Sequence, residues 1–80
     1  MGEVTSDRRL SEVSGGDVVR IQDVPTADVR AHLLRIGMLD GPVRCRSHIS
    51  NGPVVVERNG TTVALGASVA DDITVRPEAE

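Results

Sequence analysis

The chain has 80 residues, a net charge of −3, nine basic residues that are all arginine, and no aromatic residue. A chain of this length forms one domain with a compact core, and its acidic balance disfavours a general attraction to nucleic-acid backbones. Without aromatic rings it has neither the ridges of a groove for proline-rich peptides nor a platform on which bases could stack.

The first predicted elements are a tail and a strand. Residues 1–8 show no periodicity and are predicted to be a disordered tail, followed by one domain at 9–76 and a C-terminal tail at 77–80. A Ser-Gly-Gly turn signal then precedes 17–24, where apolar and polar residues alternate. This alternation predicts a half-buried strand.

A helix over 27–36 is the next predicted element. Thr26 is its expected N-cap, and Val29, Leu33 and Ile36 recur at helical spacing to form one apolar stripe. No other segment of the chain has a helical pattern of this length, although one short helical turn is expected near 68–72.

Residues 37–41, which we call the joint, connect this helix to the rest of the chain. Gly37 is the expected left-handed C-cap, and Met38 is placed to fold back on the last turn as in a Schellman ending. Asp40 and Gly41 form a turn that starts the next strand.

Large apolar residues at the joint are the predicted partner-binding surface. Leu34 lies about 100° away from the main apolar stripe, and Leu39 has no evident structural role in the sequence pattern. Burial in the core is the alternative for each member of this set, most of all for Met38 because of its capping position. The predicted surface consists of Leu34, Met38 and Leu39.

A period of two begins after Gly41 and predicts further strands. Asn59 and Gly60 are a strong two-residue hairpin signal, so the strands on either side of them are expected to pair antiparallel. The predicted strands are 42–49, 54–58, 61–65 and 73–75.

These elements predict a mainly β fold, a small SH3-like five-stranded barrel with one α-helix after the first strand. Short strands protect their edges best when the sheet closes into a barrel. An OB-fold fits less well, since it places its helix later in the chain.

Cys45 and His48 are the only pair with metal-ligand character. Three positions apart on a strand, they point to opposite faces, and a structural zinc site takes about four ligands. Cys45 is better explained as a small core residue. We therefore expect no resident metal or other cofactor, with direct binding of Fe²⁺ or another divalent ion through these two residues as an alternative.

The arginines of the predicted sheet offer a second alternative. Arg44, Arg46 and Arg58 could form a basic stripe on one face, which would make the protein a small nucleic-acid-binding barrel. A solvated strand face explains them better, because the chain is acidic overall. No nucleophile–base pair, carboxylate dyad or glycine-rich phosphate loop is present, so we do not expect an enzyme.

The cysteine content and the hydropathy predict a cytoplasmic protein. A single thiol excludes an internal disulfide and, without a secretory signal, is typical of the cytoplasm. No apolar run approaches the roughly 20 residues that cross a bilayer, so we expect no direct membrane insertion. A homo-oligomer is compatible with the sequence.

Four segments together resemble one known family in their order and spacing. LSEVSGGDVVRI opens the domain, HLLRIGMLDG is similar to the family's helix-end motif, SNGPVVVERNGTTVAL to its hairpin, and ADDITV to its last strand. They resemble the FeoA family, small cytosolic proteins of ferrous-iron transport. His32, Asp40 and Gly66 depart from it, standing where members commonly carry Arg, Pro and Arg.

This resemblance, which covers about residues 10–75, implies an SH3-like accessory protein that regulates iron uptake. Its implied partner is FeoB, a membrane transporter of ferrous iron with a cytoplasmic GTP-binding domain. The same module also occurs as the C-terminal domain of metal-dependent repressors of the DtxR type, but the chain has no room for their helix-turn-helix.

Overall fold

The computed structural model describes residues 7–78. The strands are β1 (Arg8–Arg9), β2 (Val18–Asp23), β3 (Val43–His48), β4 (Val54–Arg58), β5 (Thr61–Leu65) and β6 (Thr74–Pro77). A 3₁₀ turn (Leu10–Glu12) follows β1, helix α1 (Ala27–Arg35) follows β2, and helix α2 (Ala67–Asp72) follows β5. No helix in this part of the chain has the length and hydropathy that a membrane span requires.

The strands form one sheet with the order β1-β6-β2-β3-β4-β5. Each neighbouring pair is antiparallel. The register shifts between Ile21 and Asp23 in β2, and between Cys45 and Ser47 in β3. Such bulges bend a strand and increase its twist, which lets a sheet of short strands curl around one core.

The core is entirely apolar within residues 7–78. In β3 and β4 the period of two places alternate residues inside, so Val43, Cys45, Val54 and Val56 are at most 1% exposed. β-branched side chains such as valine suit these positions because they pack well on a pleated surface. The core residues are Leu10, Val13, Val19, Val24, Leu33, Met38, Val43, Cys45, Val54, Val56, Leu65, Ala70, Ile73 and Val75.

Helix α1 is attached to this core by a narrow contact. Leu33 is its only fully buried residue, while Val29 packs against the core at its margin. Thr26 occupies the N-cap position but its side chain makes no capping hydrogen bond. The helix therefore depends on its C-terminal end for a fixed position on the sheet.

The predicted number of strands was too low by one. The missing strand is β1, in which Arg8 lies opposite Val75 and Arg9 opposite Thr74 of β6. Two exposed arginines carry no hydrophobic periodicity, so the pattern could not reveal them. The short turn expected near 68–72 is a helix of six residues, α2.

Ordered structure extends past the predicted domain limits of 9 and 76. At one end the carboxylate of Asp7 accepts a hydrogen bond from Nε of Arg76 at 3.0 Å. At the other end the backbone N–H of Glu78 donates to the carbonyl of Val18 at 3.0 Å. The rest of the two predicted tails lies outside the described residues: 1–6 and 79–80.

Candidate functional site

Helix α1 ends in a Schellman motif at the joint. Gly37 has φ +83°, a left-handed conformation that glycine adopts without steric cost. Its N–H donates to the carbonyl of Leu34 at 3.1 Å, and the N–H of Met38 donates to the carbonyl of Leu33 at 2.9 Å. These two bonds define the motif, and they fix the direction in which the chain leaves the helix.

The guanidinium of Arg58 links the joint to strand β4. Its Nε donates to the carbonyl of Gly37 at 3.1 Å, and its Nη1 donates to the carbonyl of Pro42 at 3.4 Å. Gly37 stands just past the end of α1, where a cation is favoured by the unpaired carbonyls and the helix dipole. One side chain thus spans the joint, from Gly37 to the residue that follows Gly41.

Gly41 is required by this contact rather than by its backbone conformation. A Cβ atom built on Gly41 would lie 2.8 Å from Nη2 and 2.9 Å from Cζ of Arg58. Carbon atoms of unbonded groups pack at about 3.5–4.0 Å, so any larger residue would displace the guanidinium. Gly41 is buried, which leaves no route around the clash except movement of Arg58.

The three residues of the predicted partner surface are in different environments. Leu34 is 54% exposed, and Leu39 is half-buried with its side chain packed against the core. Met38 is 0% exposed, so its prediction as a surface contact is wrong. The Schellman ending explains this, because it turns the residue after Gly37 back onto the helix.

The three arginines of the predicted phosphate-binding stripe are not a free basic patch. Arg46 is paired with Glu57 at 2.9 Å, and Arg44 lies opposite the same glutamate in the β3–β4 register. Arg58 is bound to the carbonyls of Gly37 and Pro42. The negative charge of Glu57 beside Arg44 and Arg46 weakens their attraction to a phosphate backbone.

Cys45 and His48 are each engaged by the protein backbone. The thiol of Cys45 donates to the carbonyl of Ser47 at 3.6 Å, and Nδ1 of His48 lies 2.8 Å from the carbonyl of Val13. A carbonyl can only accept, so Nδ1 carries the proton in this contact. Within residues 7–78, no group of three or more His, Cys, Asp or Glu side chains is arranged to hold a metal ion.

Burial raises the pKa of the Cys45 thiol above its ordinary value. The charge of Asp17 raises it further, and the hydrogen bond to Ser47 opposes this in part. The thiol therefore stays protonated at pH values where an exposed cysteine would form a thiolate, and it has little nucleophilic character.

The contact of Arg58 with the joint is the main feature that sequence reasoning missed. Arg58 is the last residue of an alternating strand and precedes the Asn-Gly turn, so its pattern is that of a solvated strand end. The contact joins residues 21 positions apart, and no local signal reports it. Only the pairing of β4 with β3, the strand that begins just after the joint, brings Arg58 over Gly41.

A double-mutant cycle tests the packing of Arg58 on Gly41. We expect Gly41→Ala to destabilise the wild-type chain because the new methyl group displaces the guanidinium from two carbonyls. In an Arg58→Met background the same change should cost much less, which gives a coupling of about 1–2 kcal/mol, typical of contacting residues. Urea unfolding measures the four stabilities, and additive costs would contradict the contact.

The protonation of Cys45 predicts a pH dependence of stability. Above about pH 8.5 the thiol of the unfolded chain loses its proton while the folded chain retains it. The unfolded state then binds fewer protons, so the free energy of unfolding falls as pH rises, by at most about 1.4 kcal/mol per pH unit. The chain has no Tyr or Lys that would titrate in this range.

Cys45→Ala is the matched variant for this measurement. It should have a lower stability at neutral pH, because a core side chain is shortened, but it should lack the decline at alkaline pH. Urea unfolding between pH 7 and 10 measures both slopes. The same slope in the two proteins would show that Cys45 is not its source.

Comparisons with known proteins agree with the motifs. A family model described as the FeoA domain matches residues 8–77, and a search of curated protein sequences found no match. The solution structure of a FeoA protein from Chlorobium tepidum is similar with 27% identity and a TM-score of 0.77, over 90% of this chain and 71% of that one.

Two further solved structures share the fold. One is a crystal structure of an iron uptake regulatory protein (FeoA), with 23% identity and a TM-score of 0.75 over 90% of this chain and 99% of that one. The other is a manganese-dependent transcriptional repressor, with 22% identity and a TM-score of 0.76 over 95% of this chain but only 44% of the repressor. The predicted SH3-like fold with one main helix is confirmed, and the chain belongs to the FeoA domain family, which is related to accessory proteins of iron transport.

Proposed function

We propose that the chain is a non-enzymatic accessory protein of ferrous-iron uptake that binds the cytoplasmic part of a FeoB-type membrane transporter. Support comes from the family match over residues 8–77 and from the similar fold of an iron uptake regulatory protein. The observation that carries the proposal is the exposure of Leu34, a large apolar side chain on α1 that is 54% exposed beside a rigid joint.

Leu34 has the properties of an interface anchor. Its carbonyl accepts the N–H of Gly37, so its backbone is part of the Schellman motif and does not need to be ordered when a partner binds. Fixed side chains bind with a smaller entropic cost than mobile ones. Complete burial of a leucine stabilises by about 1.5–3 kcal/mol, and roughly half of this is still available at Leu34.

Charges around Leu34 indicate what the partner surface should look like. Arg30 and Arg35 lie on the same helix, both exposed and without an ion pair to any residue of the described range 7–78. A hydrophobic centre with a charged rim is the usual anatomy of a protein interface. The transporter surface should therefore offer an apolar pocket bordered by acidic residues.

Leu34→Asp tests this surface. The variant should bind the purified cytoplasmic part of the transporter at least about tenfold more weakly, which corresponds to about 1.4 kcal/mol, because an aspartate cannot enter an apolar pocket. Isothermal titration calorimetry measures the affinity. The free chain should lose roughly 1–2 kcal/mol of stability, because the buried half of the Leu34 side chain is lost and a negative charge is unfavourable in the last turn of α1. Urea unfolding of the variant should therefore still show a cooperative transition, so that weaker binding is not caused by unfolding.

Ile49→Asp is the matched control. Ile49 is 64% exposed and is the other large exposed hydrophobic residue of the described chain, but it lies in the loop between β3 and β4, away from the joint in sequence. It should retain wild-type affinity. If the Leu34 and Ile49 variants both bind normally, the surface is wrong; if the wild-type chain does not bind and its deletion leaves ferrous-iron uptake unchanged, the function is wrong.

A further inference from the structure

The two edges of the sheet differ in a way that bears on self-association. Strand β1 forms one edge and consists of two exposed arginines. Strand β5 forms the other edge, is five residues long and has no charge, proline or bulge. Short length and positive charge are common devices against pairing with another chain. Only the β1 edge has these two protective features, since β5 is longer and uncharged.

The turn between β4 and β5 determines which backbone groups of β5 are free. Asn59 and Gly60 have φ values of 53° and 83°, as in a type I′ hairpin turn. Arg58 and Thr61 flank the turn directly, so they form a hydrogen-bonded pair, and such pairs alternate along the strands. Thr61, Val63 and Leu65 are therefore bonded to β4.

Thr62 and Ala64 consequently direct their N–H and C=O groups away from β4. Within residues 7–78, these outward N–H and C=O groups of Thr62 and Ala64 make no hydrogen bond. Both side chains are exposed and small enough to let another strand approach. The outer side of β5 is thus a row of unpaired donors and acceptors of the kind that accepts a further strand.

We propose that this edge pairs with the same edge of a second copy of the chain, as an antiparallel β5–β5 contact with a two-fold axis at Val63. In this register Thr62 lies opposite Ala64 of the second copy, and each donates to and accepts from the other. The same residue pair recurs on the other side of the axis, as an isologous interface requires. All the outward N–H and C=O groups of Thr62 and Ala64 are then hydrogen-bonded to the second copy.

Side chains and charge favour a second copy as the occupant. Val63 would meet Val63 of the other copy as a non-hydrogen-bonded pair, in which side chains approach closely. Val63 is only half-buried in the single chain while packing on the core, so the contact covers the apolar surface that remains. No charged residue occurs from 59 to 70, so no like charges oppose each other across the axis.

The contact is one strand pair long and belongs to the smallest class of protein interfaces, so the dimer should be weak. Sedimentation equilibrium over a wide range of protein concentration should show a mass that rises from 8.5 kDa toward twice that value. In the same range, amide hydrogen exchange at Thr62 and Ala64 should slow. Exchange at Val63 should be unchanged, because its N–H is already bonded to β4.

Thr62→Pro and Thr62→Val form a matched pair for this test. Proline removes the outward N–H without removing a bond to β4, and should abolish the dimer, whereas valine keeps the N–H and should preserve it. Ala64→Lys, which places an exposed lysine on the edge, is a second disruptive variant if the proline variant does not fold. As monomers, the variants should have a free energy of unfolding close to that of the wild-type chain.

Three results would overturn the β5 dimer. The first is a monomer at all concentrations. The second is a dimer that persists in Thr62→Pro or Ala64→Lys, which would place the contact on another surface. The third is slow exchange at Thr62 and Ala64 that does not depend on concentration, which would mean that another segment of the same chain covers the edge. None of these results depends on a transporter.

Discussion

The contact between Arg58 and the joint is the interaction on which the position of helix α1 depends. Within the helix only Leu33 is completely buried, while Val29 is partly buried against the core, so the apolar contact of the helix is narrow. Arg58 adds a polar constraint at the end of the helix by binding the carbonyls of Gly37 and Pro42. It can do so because Gly41 has no Cβ. A buried glycine and a distant arginine therefore act together as a clamp.

The large apolar residues at the C-terminal end of α1 and in the joint lie in two different environments. Leu33 and Met38 are fully buried, whereas Leu34, which lies between them in sequence, is left 54% exposed. A rotation of the helix that buried Leu34 would expose Leu33, so apolar burial gives no net gain from it. Restraint at the C-terminal end keeps this side chain outside, where we propose that the transporter binds it.

Features encoded by neighbouring residues could be predicted from the sequence. The left-handed Gly37, the Asn59–Gly60 turn and the alternation in β3 and β4 each depend on a few consecutive residues, so the fold class was evident. Strand β1 could not be found, because two residues are too few for a period. The clamp could not be found either, because it joins positions 21 residues apart.

Met38 shows how a correct local prediction can coexist with a wrong functional one. The Schellman pattern placed its backbone correctly, as the bond to Leu33 shows. Its side chain was also included in the partner surface, although the same motif turns that side chain inward. The geometry of the cap excludes such exposure, so a residue in this position should be assigned to the core first.

A titration of the methyl-labelled chain with the cytoplasmic part of a FeoB-type transporter, followed by NMR, tests the central claim most directly. The methyl signals of Leu34 should shift or broaden as the complex forms, while those of the buried Leu33 and Met38 should stay in place. Formation of a complex without any change at Leu34 would contradict the account.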